Sequence, residues 1–142
     1  MQKVNYADLN PRQQECYNFQ KISAVLAEYG FECIKLSDDW KGADFIAYNF
    51  DGKTSLKVQL KGRLTIRKKY VGKSLHVAFP SGRNKWIVVP HDTLLEIISQ
   101  VCPRWLETDS WLKKGEYHRR GVGKALLPKL KEFELASSDS NR

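Results

Sequence analysis

The stretch Asp44-Phe45-Ile46-Ala47-Tyr48-Asn49-Phe50, Asp51-Gly52, Lys53-Thr54-Ser55-Leu56-Lys57-Val58-Gln59-Leu60-Lys61 decides how this chain folds. Two alternating apolar runs flank an Asp-Gly pair. That is among the strongest short-range signals for a β-hairpin, because a type I′ turn needs positive φ at both central residues. With Asp51 and Gly52 as the loop, counting outward pairs Phe50 with Lys53, Ala47 with Leu56, Phe45 with Val58 and Asp44 with Gln59. Phe45, Ala47, Leu56, Val58 and Leu60 then share one face, as a core-facing sheet requires. The other face collects Asp44, Lys57, Gln59 and Lys61. A carboxylate, an amide and ammonium groups stand side by side next to a core-facing strand surface.

The sequence around the hairpin supplies a helix before it and more sheet after it. Residues 11–29 read as an amphipathic helix, with Asn10 as N-cap, Pro11 in the first turn and Gly30 ending it. Phe19, Ile22, Leu26 and Tyr29 form its apolar stripe at about 100° per residue. Residues 31–37 alternate as a first strand, followed by a polar turn over 37–42. Strands are expected at 74–79 and 85–89, joined by a turn at Pro80-Ser81-Gly82. A second helix is expected at 92–101, capped by Asp92 or Thr93 and stopped by Pro103. Residues 104–121 give no clear pattern, and 122–134 suggest a short basic helix interrupted by Pro128. The fold class that follows is α/β, with a mixed, largely antiparallel central sheet and flanking helices. One domain over 1–135 is expected, comprising a core at about 11–101 and a basic extension over 102–135. A disordered Ser- and Asp-rich tail over 136–142 follows it.

Composition narrows the partners. The 142 residues suffice for one domain with a real core, and 42% are hydrophobic. No apolar stretch approaches the roughly 18 residues needed to span a bilayer, and the N-terminal residues show no signal-peptide core. Cys16, Cys33 and Cys102 are odd in number, far apart and without a CxxC pair. They read as buried thiols of a cytoplasmic protein, not as a disulfide or zinc framework. The net charge is +8, and residues 57–73 carry seven positive charges with no acidic residue: Lys57, Lys61, Arg63, Arg67, Lys68, Lys69 and Lys73. Such a segment beside a polar site is the electrostatic footprint of a phosphate-backbone partner. Lacking an apolar partner face, it fits an anionic membrane surface poorly. Arg119 and Arg120, in the cluster Tyr117-His118-Arg119-Arg120, are further candidate phosphate contacts. His76 and His91 read as structural, and Trp86, Trp105 and Trp111 as packing residues.

The hairpin's polar face can hold a hard divalent cation. Its donors would be the Asp44 carboxylate, the Gln59 side-chain oxygen and a strand carbonyl such as that of Leu60. Magnesium prefers such oxygen ligands. Lys61 would orient a water or stabilise developing phosphate charge. A second carboxylate is wanted. Around the first helix Glu15 lies about 40° from Phe19 and about 20° from Ile22 and Leu26, on the core-facing stripe, whereas Glu28 lies about 140° away. Glu15 is therefore chosen.

These residues resemble the PD-(D/E)XK nuclease superfamily. The carrying motifs are Gly42-Ala43-Asp44-Phe45-Ile46-Ala47 and Leu56-Lys57-Val58-Gln59-Leu60-Lys61-Gly62-Arg63, preceded by the helix with its glutamate. The basic segment followed by Trp86-Ile87-Val88-Val89-Pro90 is similar to small homing-type, resolvase-like or restriction-like members. The resemblance covers about residues 11–98. It implies a restriction-endonuclease-like core, Asp44, Glu15 and Gln59 as metal-site residues, and Lys61 as the catalytic lysine. It further implies magnesium-dependent hydrolysis of DNA, with manganese as substitute and double-stranded DNA as the expected partner. Two-strand cutting would need two sites, which a homodimer would supply. Ala43 stands where the motif name has proline, and Gln59 where it has Asp or Glu, which removes one negative charge from the metal site. Two other readings stay open: a non-catalytic nucleic-acid-binding module on the same fold, and an RNA-directed relative.

Overall fold

The hairpin forms where the Asp-Gly pair places it, and its register is the expected one. In the computed structural model, which describes residues 1–40 and 42–138, β1 spans Phe31–Trp40, β2 Ala43–Asn49 and β3 Ser55–Leu60. Phe45 stands opposite Val58 and Ala47 opposite Leu56. The turn itself differs from the expected type I′ loop. Asn49 and Thr54 close a four-residue loop, with the Gly52 N–H donating to the Asn49 carbonyl at 3.0 Å. Gly52 alone has positive φ, +73°. Asp51 instead spends its carboxylate as an acceptor for the Lys53 and Thr54 N–H groups, at 2.7 and 3.0 Å. Both loop lengths are even, so the register survives the change.

Five further strands complete the sheets: β4 at Leu64–Arg67, β5 at Leu75–Gly82, β6 at Lys85–Pro90, β7 at Glu116–Arg119 and β8 at Glu134–Ala136. The main sheet has the order β1-β2-β3-β5-β6-β8, with β3 and β5 parallel and the other neighbours antiparallel. β4 and β7 pair in a separate two-stranded sheet. The protein is thus α/β with a mixed, mostly antiparallel six-stranded sheet and flanking helices.

Helix α1, Pro11–Glu28, covers one face. Its start is a full capping box: the Asn10 side chain accepts from the Gln13 N–H, and the Gln13 side chain accepts from the Asn10 N–H, both at 2.9 Å. Ile22, Val25 and Leu26 pack on Phe45, Ala47, Val58 and Leu60. Helix α2, His91–Val101, lies against the other face. Its N-cap is Pro90, with no side-chain cap; Asp92, expected as a cap, instead accepts from the Gly72 N–H at 3.0 Å.

Several boundaries move. A polar turn is expected over 37–42, yet β1 runs on through Trp40, with Trp40 opposite Ala43 after a register shift; Lys41 lies outside the described residues. The turn expected at Pro80-Ser81-Gly82 falls at Arg83-Asn84, and a bulge between Pro80 and Gly82 accommodates the proline. Strand β4 lies within the basic segment. Residues 102–135 are not an appended extension: helix α3 (Asp109–Lys114) brings Trp111, and helix α4 (Leu127–Leu130) brings Leu130, into the same buried cluster as Ile66, Val77 and Phe79. Pro128 sits in the first turn of α4, so it starts that helix where an interruption is expected. The tail is ordered at its beginning, because Ala136 pairs with Lys85 and the Ser138 N–H donates to Glu28 at 3.3 Å; residues 139–142 lie outside the described residues. Cys16 is exposed, whereas Cys33 and Cys102 are half-buried against the two core clusters, so only these two approach the burial expected. No helix among the described residues is long and apolar enough to cross a membrane.

Candidate active site

The site sits where β2 and β3 part. Their ladder ends at the pair Phe45–Val58. By register the Leu60 N–H would next face the Ala43 carbonyl. It donates instead to Asp44 Oδ2 at 2.8 Å. The carboxylate thus replaces a main-chain acceptor and is fixed by its own sheet, half-buried at the strand end.

Gln59 follows on the same face as Asp44. It is only 8% exposed, because Val77 of β5 stands beside it and the face is covered by the second core cluster. Its Oε1 is buried with no hydrogen-bond partner. A buried polar atom without a partner costs about 1–3 kcal/mol, so natural proteins rarely retain one without use. A cavity of about 300 Å³ opens here, bordered by Glu15, Asp44, Gln59, Leu60 and Lys61. The structure therefore brings together all the residues that sequence nominated for the metal site.

Glu15 differs from expectation in one respect. It is exposed, although its helical position lies on the apolar stripe. The buried part of that stripe begins at Ile22, so the first turns of α1 face the cavity and not the core. Glu28 is at the far end of the helix, where its carboxylate accepts from the Ser138 N–H and hydroxyl.

Lys61 is half-buried, with its Nζ 5.9 Å from the centroid of the Tyr70 ring. Burial pushes its pKa below the ordinary lysine value; the positive charge of Arg67 pushes the same way, and Asp44 opposes both. An ammonium with a lowered pKa releases its proton more readily than a surface lysine.

The oxygen donors around the cavity suit a hard cation: two carboxylates, an amide oxygen without a partner and a strand-end carbonyl. Softer or larger donor sets are missing from the described residues, in which no group of three or more His, Cys, Asp or Glu side chains is placed to hold a metal. With two carboxylates in place of three, most of a bound magnesium's remaining positions would belong to water or phosphate.

The basic candidates divide into two groups. Lys57, Lys69 and Lys73 border a second cavity of about 470 Å³, and Lys57 Nζ donates to the Lys73 carbonyl at 2.9 Å. Arg63 and Arg120 are exposed. Others have internal work. Arg67 pairs with Glu116 at 3.3 Å and lies 5.8 Å from the Tyr70 ring. Lys68 lies 5.3 Å from the Trp111 ring, and Arg119 stacks 4.4 Å from Trp105, whose other partner is Tyr117. Arg67 and Arg119 thus brace the β4–β7 sheet, a role their charge alone did not reveal.

His91 explains how the basic segment is held. It is 0% exposed, and its Nε2 accepts from the Arg67 N–H at 3.1 Å while Nδ1 faces Asp92 Oδ1 at 3.2 Å. The proton therefore sits on Nδ1. Burial pushes the ring's pKa below its ordinary value, with Asp92 opposing. Sequence missed three residues that border the site: Tyr6, Gln14 and Asn18. The only signal was the polar i, i+4 pair Gln14 and Asn18 beside Glu15. No family model matches the chain, and no curated protein and no solved structure matches it.

Proposed function

We propose that this protein is a magnesium-dependent endonuclease that hydrolyses DNA phosphodiester bonds, on a core of the restriction-endonuclease-like kind. The observation that supports this is Gln59, whose Oε1 is buried without a hydrogen-bond partner and which borders a cavity together with Asp44, Glu15 and Lys61. Asp44, Glu15, Gln59 and the Leu60 carbonyl would hold the ion, with manganese able to replace it. When bound, the ion would polarise the scissile phosphate and favour ionisation of an attacking water. Asp44 is kept in place by the Leu60 N–H. Lys61, with its lowered pKa, would orient the water and neutralise charge as the water oxygen bonds to phosphorus. The attacking water would give up one proton to solvent, the bond from phosphorus to the leaving sugar oxygen would break, and that oxygen would take up a proton from solvent. Lys57, Lys69, Lys73, Arg63 and Arg120 would contact the backbone, which gives affinity without sequence information.

The test is nicking of supercoiled plasmid by the purified chain with Mg²⁺ or Mn²⁺. Nicking is expected, and Asp44→Ala and Lys61→Ala should each reduce it by about a thousandfold, on the order of 4 kcal/mol of barrier. Activity that survives both substitutions would sink the site. A second reading, a binding module without catalysis, is favoured by one observation: the neutral Gln59 leaves only two carboxylates at the cavity. DNA binding that persists in EDTA, with no cleavage under either metal, would select it. Stronger competition by RNA than by DNA would select the RNA-directed relative.

A further inference from the structure

A groove beside the candidate active site has no role in the proposal above. It measures about 750 Å³ and is bordered by Lys3, Tyr17, Lys21 and Arg83, together with Tyr6, Asn18 and Gly62. These last three also border the active-site cavity, so the two openings adjoin. None of the described residues that border the groove is acidic, while Lys3, Lys21 and Arg83 bring three positive charges.

Two of its aromatic residues are exposed and yet held. Tyr6 and Tyr17 are each 37% exposed, and their rings meet edge to face at 5.2 Å. The Tyr6 hydroxyl accepts from Asn18 Nδ2 at 2.9 Å, and Gln14 Nε2 donates to the Tyr6 carbonyl at 3.2 Å. The 3-10 turn that carries Tyr6, residues Tyr6–Asp8, is capped by the Asn5 side chain. Lys21 Nζ lies 5.4 Å from the Tyr17 ring. These rings have little freedom left to lose when a ligand stacks on them, so stacking is not offset by ordering.

Resting on the nuclease reading, we propose that this groove holds an unpaired DNA strand next to the scissile phosphate, with bases stacked on Tyr6 and Tyr17 and backbone phosphates on Lys3, Lys21 and Arg83. Fixed aromatic rings within a positive groove are the combination that binds single strands without reading sequence. A duplex covers its base faces by its own stacking and would leave both tyrosines unused. Along β3 and the residues after it, Lys57 borders one cavity, Gln59 and Lys61 the active-site cavity, and Gly62 both that cavity and the groove. The substrate class that follows is DNA with an unpaired segment beside the cut, such as a flap, a junction or an end.

Binding of a fluorescent single-stranded oligonucleotide, and of the duplex of the same sequence, is measured by anisotropy in EDTA with the full chain. Tyr6→Ala and Tyr17→Ala are each expected to weaken single-strand binding about tenfold and duplex binding by less than about twofold. Tyr17→Phe keeps the ring and is expected to restore binding, which separates stacking from loss of fold. Equal losses for single strand and duplex, or no loss for either, overturn the groove. Because no cleavage is involved, tyrosine-dependent binding by a chain that never nicks DNA supports the groove while removing the enzyme. A chain that nicks DNA but binds single strands without need of Tyr6 and Tyr17 keeps the enzyme and loses the groove.

Discussion

His91 and Gln59 are two buried polar side chains on the same side of the sheet, with opposite hydrogen-bond states. His91 uses both ring nitrogens, accepting from the Arg67 N–H and facing the Asp92 carboxylate. Gln59, nearly as buried, leaves Oε1 without a partner. A satisfied buried group fixes structure; it joins α2 to β4 and positions the basic segment. An unsatisfied one costs stability and persists where something outside the fold supplies the missing contact. The same physics makes one residue architectural and the other a candidate for contact with a ligand.

The largest expected effect that tests this contrast is on stability. His91→Ala removes a buried ring and strands the Arg67 N–H, and should cost about 3 kcal/mol in urea unfolding. A loss below about 1 kcal/mol would deny His91 its structural role. Gln59→Leu is expected to do the reverse: stability unchanged or slightly raised, and plasmid nicking reduced about a hundredfold, equivalent to about 2.7 kcal/mol. A marked loss of stability there would mean Gln59 is a packing residue. Gln59→Glu sharpens the contrast further, because it restores the missing charge. It should lower the magnesium concentration for half-maximal nicking about tenfold, or about 1.4 kcal/mol, and make the apo protein less stable beside Asp44.

The smallest effect is on pH dependence. Burial lowers the folded-state pKa of His91, and of His76 likewise. The unfolded chain protonates these rings near pH 6.5, where the folded protein still refuses the proton. Their contribution to stability is therefore fully present above about pH 6.5 and is lost as pH falls toward the folded values. Urea midpoints should drop on acidification through this window, before carboxylates titrate, and the drop should shrink in His91→Ala. An unchanged slope in that variant would assign the acid sensitivity elsewhere.

The hairpin was legible because every clue to it is local: Gly52 punctuates, the alternation sets the faces, and an even loop length preserves the register whatever the turn type. Helix α1 was legible for the same reason, through Asn10 and Pro11. The β4–β7 sheet was not. Its strands are four residues each, rich in charge, and drawn from 64–67 and 116–119, so neither carries a pattern strong enough to announce itself. Residues 102–135 looked like an extension because Trp111, Leu126 and Leu130 bury themselves from short helical pieces, not from one periodic helix. The site was half legible. Asp44, Gln59 and Lys61 follow from strand period, whereas the exposure of Glu15 depends on where α1 overhangs the sheet. Tyr6, Tyr17 and Arg83 meet only in three dimensions.

The three residues of β8 have a consequence for the protein in a crowded solution. They pair along Lys85, Trp86 and Ile87 with β6, a strand that carries Trp86, Ile87, Val88 and Val89. Left bare, that margin would offer a neighbouring molecule a ready template for adding strands. A cover only three residues long leaves little backbone for a further strand to grip. The opposite margin, β1, is ten residues long and carries Glu32, Lys35 and Asp38. One border of the sheet is thus shielded by brevity and the other by charge, and a deletion that removed residues 134–136 should favour polymerisation.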